Sequence, residues 1–248
     1  MTAMGEPGRR GLPPALLVVA SLAALAILLA LGTWQVQRLH WKEDLIATID
    51  ARVASAPQPL ADIEARLAAH GDVDYWPVEL AGAFRHEGER HFFATHRGQS
   101  GYYVYTPLEL DDGRYLLVNR GFVPFDRKDA ATRPQGQVEG RQEIVGLARD
   151  RLDGKPSSIV PDNDPQKNVF YWKDLGVMAA TSGVARVEDY VQFFVDANDT
   201  PNPGGLPVGG VTIIDMPNNH LQYAVTWSGL AAALAGVLAV WAWRQRKP

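Results

Sequence analysis

ALLVVASLAALAILLALGTWQVQRLHW (residues 15–41) decides the architecture. No charged side chain occurs between Arg10 and Arg38, and none occurs between Asp215 and Arg244. Each gap exceeds the roughly 20 apolar residues that span a hydrocarbon core of about 30 Å, so the sequence predicts two membrane helices. An export signal also opens on basic residues such as Arg9 and Arg10, but its apolar region runs only about 7–15 residues. Here the apolar run continues into Trp34 and Trp41, whose amphipathic rings suit a membrane–water interface.

Flanking charge sets the orientation. Arg9 and Arg10 precede the first span, and Arg244, Arg246 and Lys247 follow the second. The excess of basic residues on the cytoplasmic side puts both tails inside and residues 40–219 outside. That exported segment carries 18 Lys and Arg against 27 Asp and Glu, a balance that excludes a nucleic-acid binder. With no cysteine in the chain, disulfides, thiolate nucleophiles, iron–sulfur ligands and thiolate copper sites are excluded as well.

The expected divisions are a cytoplasmic tail over 1–12, a transmembrane helix over 13–38, an exported domain over 39–219, a second transmembrane helix over 220–243 and a tail over 244–248. Trp41, Leu45, Ile49 and Val53 recur near helical spacing, so the first helix continues as a stalk over 39–53, which APQP (56–59) ends. ADIEARLAAH (61–70) reads as a short helix that Gly71 stops.

From Tyr75 onward, runs rich in Val, Tyr, Phe and Leu alternate with Gly, Asp and Pro: YWPVELAGAF, RHFFATHR, GYYVYTPLEL, RYLLVNRGFV, RQEIVGLARD and YVQFFVDAN. These read as strands. Asp111-Asp112-Gly113 joins two of them as a hairpin, and YWKDLGVMAATSG (171–183) reads as a helix. The fold class is therefore two transmembrane α-helices flanking an exported α+β domain, built on a mostly antiparallel sheet or partly closed barrel with short helices. VELAGAF and QEIVGLA share Glu-x-x-Gly, and PGGLPVGG (203–210) reads as a returning loop without the residues of a phosphate loop.

Among candidate sites, His86, His91 and His96 are spaced by five, which puts consecutive members on opposite faces of a strand; they read as surface or hairpin histidines rather than a zinc site. Arg120 is expected to pair with an acid such as Asp196 or to face an anion. His220 differs, because an ionisable residue bordering a membrane span is costly and marks a functional site by default. If Asn218 or Asn219 caps the helix, His220 lies in its first turn, where the positive end of the helix dipole favours the uncharged ring that binds iron. Tyr223, Ala224 and Trp227 follow at helical spacings of three, four and seven and could wall a large planar ligand. Across the gap, the first span offers Trp34, Gln35 and Arg38, the last suited to a carboxylate. The plainer alternative has His220 reaching water while Tyr223 and Trp227 form an interfacial belt.

LGTWQVQRLHWKEDLI (31–46), QSGYYVYTPLEL (99–110), LVNRGFVP (117–124), QGQVEG (135–140), DNDPQKNVFYWKDL (162–175), VDAN (195–198), PVGG (207–210) and NNHLQYAVTWSGL (218–230) together resemble the surfeit locus protein one family, assembly factors for cytochrome c oxidase. The resemblance implies a non-enzymatic, membrane-anchored factor that helps haem a reach or settle in oxidase subunit one. It implies partnership with that subunit, with a haem a synthase and with membrane lipid. Of the residues above, only His220 matches the position that the family links to haem a, as an axial iron ligand. Tyr223, Trp227, Trp34, Gln35 and Arg38 are added around it by their placement alone. The short N-terminus suggests a bacterial member in the inner membrane with a periplasmic domain. A cofactor-free scaffold for an oxidase assembly intermediate is the alternative.

Overall fold

A computed structural model of the chain describes residues 13–214 and 216–246. The expected tail over 1–12 with Arg9 and Arg10, together with Asp215 and Lys247, lies outside the described residues. The chain divides into a helical unit, which holds the residues up to Thr48 and those from 215 onward, and a second unit over Ile49–Ile214.

In the helical unit, α1 (Pro14–Val53) and α4 (His220–Gln245) are both long and apolar enough to cross a membrane. At about 1.5 Å per residue, the 26 residues of α4 reach roughly 39 Å. Most of their large apolar side chains, among them Leu22, Ile27, Leu29, Val225, Leu230 and Val237, are exposed, as a lipid solvent requires. The buried positions are small or polar: Gly32 and Gln35 on α1, Ala224 and Ala231 on α4. A Cβ on Gly32 would lie 3.1 Å from Ser228 Oγ and 3.8 Å from the Cβ of Trp227, so the helices approach closely here. Small residues at the contact are the usual device where lipid removes the hydrophobic drive for helix association.

In the second unit, β1 (Gln58–Pro59) leads into α2 (Leu60–His70), which ends at Gly71 in the left-handed conformation, its N–H returning to the Leu67 carbonyl. The strands β2 (Pro77–Phe84), β3 (Arg90–His96), β4 (Gln99–Leu110), β5 (Tyr115–Pro124), β6 (Arg141–Asp150) and β7 (Tyr190–Ala197) form one sheet in the order β1-β2-β6-β7-β5-β4-β3. Pairing of β2 with β4 closes β2, β6, β7, β5 and β4 into a five-stranded barrel. All barrel pairs are antiparallel except β5 with β7. α3 (Leu175–Ser182) begins where the Asp174 carboxylate accepts the Val177 N–H, later than the expected Tyr171.

Successive residues of β5 and β7 serve two cores. Leu116, Val118, Phe193 and Val195 join one apolar cluster with Val78, Leu80 and Leu108, whereas Leu117 and Phe194 join another with Tyr105, Phe170, Met178 and Ala179. Burial on both faces explains why these strands read as continuous apolar runs rather than alternating ones. The repeated Glu-x-x-Gly also has a packing reason. A Cβ on Gly82 would lie 2.2 Å from the Glu109 carbonyl oxygen, and one on Gly146 would lie 2.3 Å from that of Asp196.

Candidate functional site

Asn219 precedes the first helical residue of α4, and the Asn218 side chain accepts the His220 N–H at 3.3 Å. His220 is thereby fixed at the first position of the helix. Its half-buried ring meets the buried Gln35, 8% exposed, with Nδ1 2.7 Å from Gln35 Oε1. An amide oxygen only accepts, so Nδ1 carries a hydrogen, and in the uncharged ring the lone pair is then on Nε2. Among the described residues, Nε2 has no hydrogen-bond partner.

The buried stripe of α4 continues through Ala224 to the half-buried Trp227. Tyr223 is 52% exposed and Trp34 is 53% exposed, so both stand beside the helix contact rather than in it. Arg38 is exposed, with its guanidinium carbon 3.6 Å above the centre of the Trp41 ring. Of the six candidate residues, His220, Gln35 and Trp227 are brought to the contact, while Trp34, Tyr223 and Arg38 are not. The donor set fits a haem iron: a neutral imidazole with one nitrogen available, oriented by a carbonyl on the other, is the usual form of a histidine ligand.

A second polar cluster, inside the barrel unit, corrects the reading of the histidines. Glu89 is bound by both arms of Arg133, at 3.2 and 2.5 Å, and both side chains are buried. Arg120 lies 3.8 Å from Glu89, not paired with Asp196, and its guanidinium sits over the Phe84 ring. Arg120 also donates to His86 Nδ1 at 3.3 Å, which leaves Nε2–H of that ring to donate to the Val138 carbonyl at 2.8 Å. His91 is buried, 7% exposed, and neither ring nitrogen has a hydrogen-bond partner. His96 has its ring against that of Phe122. His91 is therefore an interior residue and His86 a half-buried one, because the residues around Phe170 cover the first and the 125–138 segment bonds the second.

Burial pushes the Glu89 carboxyl up, but the Arg133 guanidinium bound to it outweighs this and the group sits at about 2. Burial pulls the His91 imidazole down to about 4, with the Glu89 charge opposing, and lowers Arg120 to about 10. Glu89 is shared by the two guanidinium groups, Arg133 at hydrogen-bond distance and Arg120 at 3.8 Å, so the cluster works as a lock between the start of β3, the end of β5 and the 125–138 segment. Its sequence signal was a charged residue inside an apolar strand, LVNRGFV, which demands a buried counter-charge. No group of three or more His, Asp or Glu side chains is placed to hold a metal ion among the described residues.

Asp196 has a different role. It accepts from Asn119 at 2.9 Å and from Thr212 at 2.9 Å, tying β7 to β5 and to the returning loop. In that loop, Val208 exchanges backbone hydrogen bonds with Phe122, and Gly121, at φ +123°, faces the Val208 carbonyl.

With this geometry in view, comparison with known proteins is informative. The model of the SURF1 family matches residues 22–232. The chain is 39% identical over 220 residues to surfeit locus protein 1 of Homo sapiens, covering 82% of this chain and 70% of that protein. Surfeit locus protein 1 of Rattus norvegicus is also 39% identical, over 82% and 68% of the two chains. A SURF1-like protein of Monosiga brevicollis is 35% identical over 241 residues, 92% of this chain and 87% of its own.

Proposed function

The chain belongs to the SURF1 family, and from that membership and the chemistry of the helix pair we propose that it is an assembly factor for haem–copper cytochrome c oxidase that carries haem a. Its membrane is the bacterial inner membrane, with both tails cytoplasmic and the barrel in the periplasm; Arg244 in the last turn of α4 and Arg246 just after it support that orientation. Haem a is cargo, received from its synthase and passed to oxidase subunit one, and the role is non-enzymatic. The observation that carries the reading is the His220 ring, engaged at Nδ1 and free at Nε2. When bound, haem a would supply an iron able to take an imidazole nitrogen. His220 would hold it, Gln35 would orient His220, and Trp227 with Ala224 would offer an apolar wall beside the ring.

The test is purification of the full-length protein after co-expression with haem a biosynthesis, followed by pigment analysis. Wild-type protein should carry haem a, and His220→Leu should lose at least ten-fold of it while remaining in the membrane. A colourless wild-type protein that still co-purifies with subunit one would instead establish the cofactor-free scaffold.

A further inference from the structure

Resting on the reading of His220 as the iron ligand, we infer that Gln35 is the positioning residue that selects which nitrogen of His220 binds the metal. The two residues are 185 positions apart in sequence, and each stands on the buried side of its own helix. Gln35 is the buried polar side chain of an otherwise apolar contact whose other buried positions are Gly32, Ala224 and Ala231. An amide there must find a partner, and the Gln35 oxygen finds Nδ1 at 2.7 Å.

That single contact decides two things. It pins the ring plane, and it places the proton on Nδ1. Free imidazole side chains in water favour the opposite form, with the proton on Nε2, and that form offers iron only the nitrogen nearer its own backbone. The helices approach closely at Gly32, one turn before Gln35, where Ser228 and Trp227 face the glycine, and this brings the amide within reach of the ring. An amide carbonyl also differs from a carboxylate as an orienting partner. It fixes the tautomer without adding charge beside the ring, whereas a carboxylate makes the bound imidazole more basic and stabilises ferric iron.

The proposal separates from a simple interhelical hydrogen bond by its readouts. Ring nitrogens of His220 are observed by ¹⁵N NMR in the full-length apoprotein in detergent, at alkaline pH, for wild type, Gln35→Leu and Gln35→Glu. Haem a binding and the midpoint potential of the bound iron are measured on the same three proteins. Wild type should show the Nδ1–H form, Gln35→Leu should shift toward Nε2–H and bind haem a about 10- to 100-fold more weakly. Gln35→Glu should restore the Nδ1–H form and the affinity and should lower the midpoint potential. An Nε2–H ring in wild-type apoprotein overturns the inference whatever the haem result, as does full affinity in Gln35→Leu. A wild-type protein with the Nδ1–H ring that binds no haem a overturns instead the carrier reading, and with it this role for Gln35.

Discussion

His220 in the helix pair and His91 in the barrel unit are both enclosed, yet their rings are treated in opposite ways. Gln35 engages one nitrogen of His220 and leaves the other free, whereas both nitrogens of the more deeply buried His91 are without a hydrogen bond. His91 is surrounded by charge, with Glu89 3.8 Å away and Tyr102 edge-on to its ring, and acts as filler in a closed network. His220, half-buried, has the neutral Gln35 amide as its ring partner. Burial alone does not suit a histidine to be a ligand; the proposal for His220 rests on a partner at one nitrogen and none at the other. The contrast extends to cost, since the barrel unit tolerates paired charges that a lipid-facing helix contact would not.

The largest expected effect lies in the barrel unit. Glu89→Ala leaves the buried guanidinium groups of Arg133 and Arg120 without their counter-charge and should cost about 3–5 kcal/mol, seen as a lowered denaturation midpoint of the full-length protein. Haem a bound per folded molecule should be unchanged, and a selective loss of haem would break the separation of the two regions.

Next come the glycines. A Cβ at Gly121 would fall 2.0 Å from the Val208 carbonyl oxygen, at a positive φ that L-residues rarely adopt. Gly121→Ala should destabilise by at least ~1–3 kcal/mol. At Gly32 the nearest atom is Ser228 Oγ, 3.1 Å away, at the end of a side chain that can rotate. Gly32→Ala should therefore cost under about 1 kcal/mol, and equal effects at the two positions would contradict the account of the helix contact.

The last effect is one of pH, spread over the interval between two titration values. The folded His91 titrates at about 4, below the ordinary 6.5, so the native state binds fewer protons than the unfolded chain between those values. Its contribution to stability is complete above about 6.5 and is lost as pH falls toward 4, on the order of 1 kcal/mol for each pH step. His91→Phe removes the titrating group and should flatten that part of the stability profile measured by denaturation. An unchanged slope would mean that His91 is hydrated and charged in the folded protein.

Much of this architecture was legible from residues. Strands announced themselves through runs of Val, Tyr, Phe and Leu between breakers, and Gly71 and Gly113 stood where positive φ was needed, at 69° and 84°. The membrane helices followed from the absence of charge. A partly closed barrel was one of the two expected forms, but which strands close it was not legible, because β2 meets β4 over three residue pairs, where Gly82 lets the Glu109 carbonyl approach, a contact with no local signature. Nor was the late start of α3. The N–H groups of Tyr171 and Trp172 are taken by the Asn163 side chain, which holds them in the preceding loop. The burial of His91 depends on Phe170, far along the chain, bonding its backbone to β3 at His91 and Phe93.

The candidate site was half legible. Helical spacing located His220 and the outer turn of α1, but the rotation of α1 decides which of Trp34, Gln35 and Arg38 faces α4. That rotation follows from the small residues, with Gly32 placing Gln35 inward one turn on and leaving Trp34, at the next position round the helix, outward.

The most direct measurement of the central claim is chemical rescue of His220→Gly. The substituted protein, purified after co-expression with haem a synthesis, should be nearly colourless, and added imidazole should restore the haem a spectrum by replacing the missing ligand. Retention of the wild-type spectrum without imidazole would show that iron is bound elsewhere and that His220 is not its ligand.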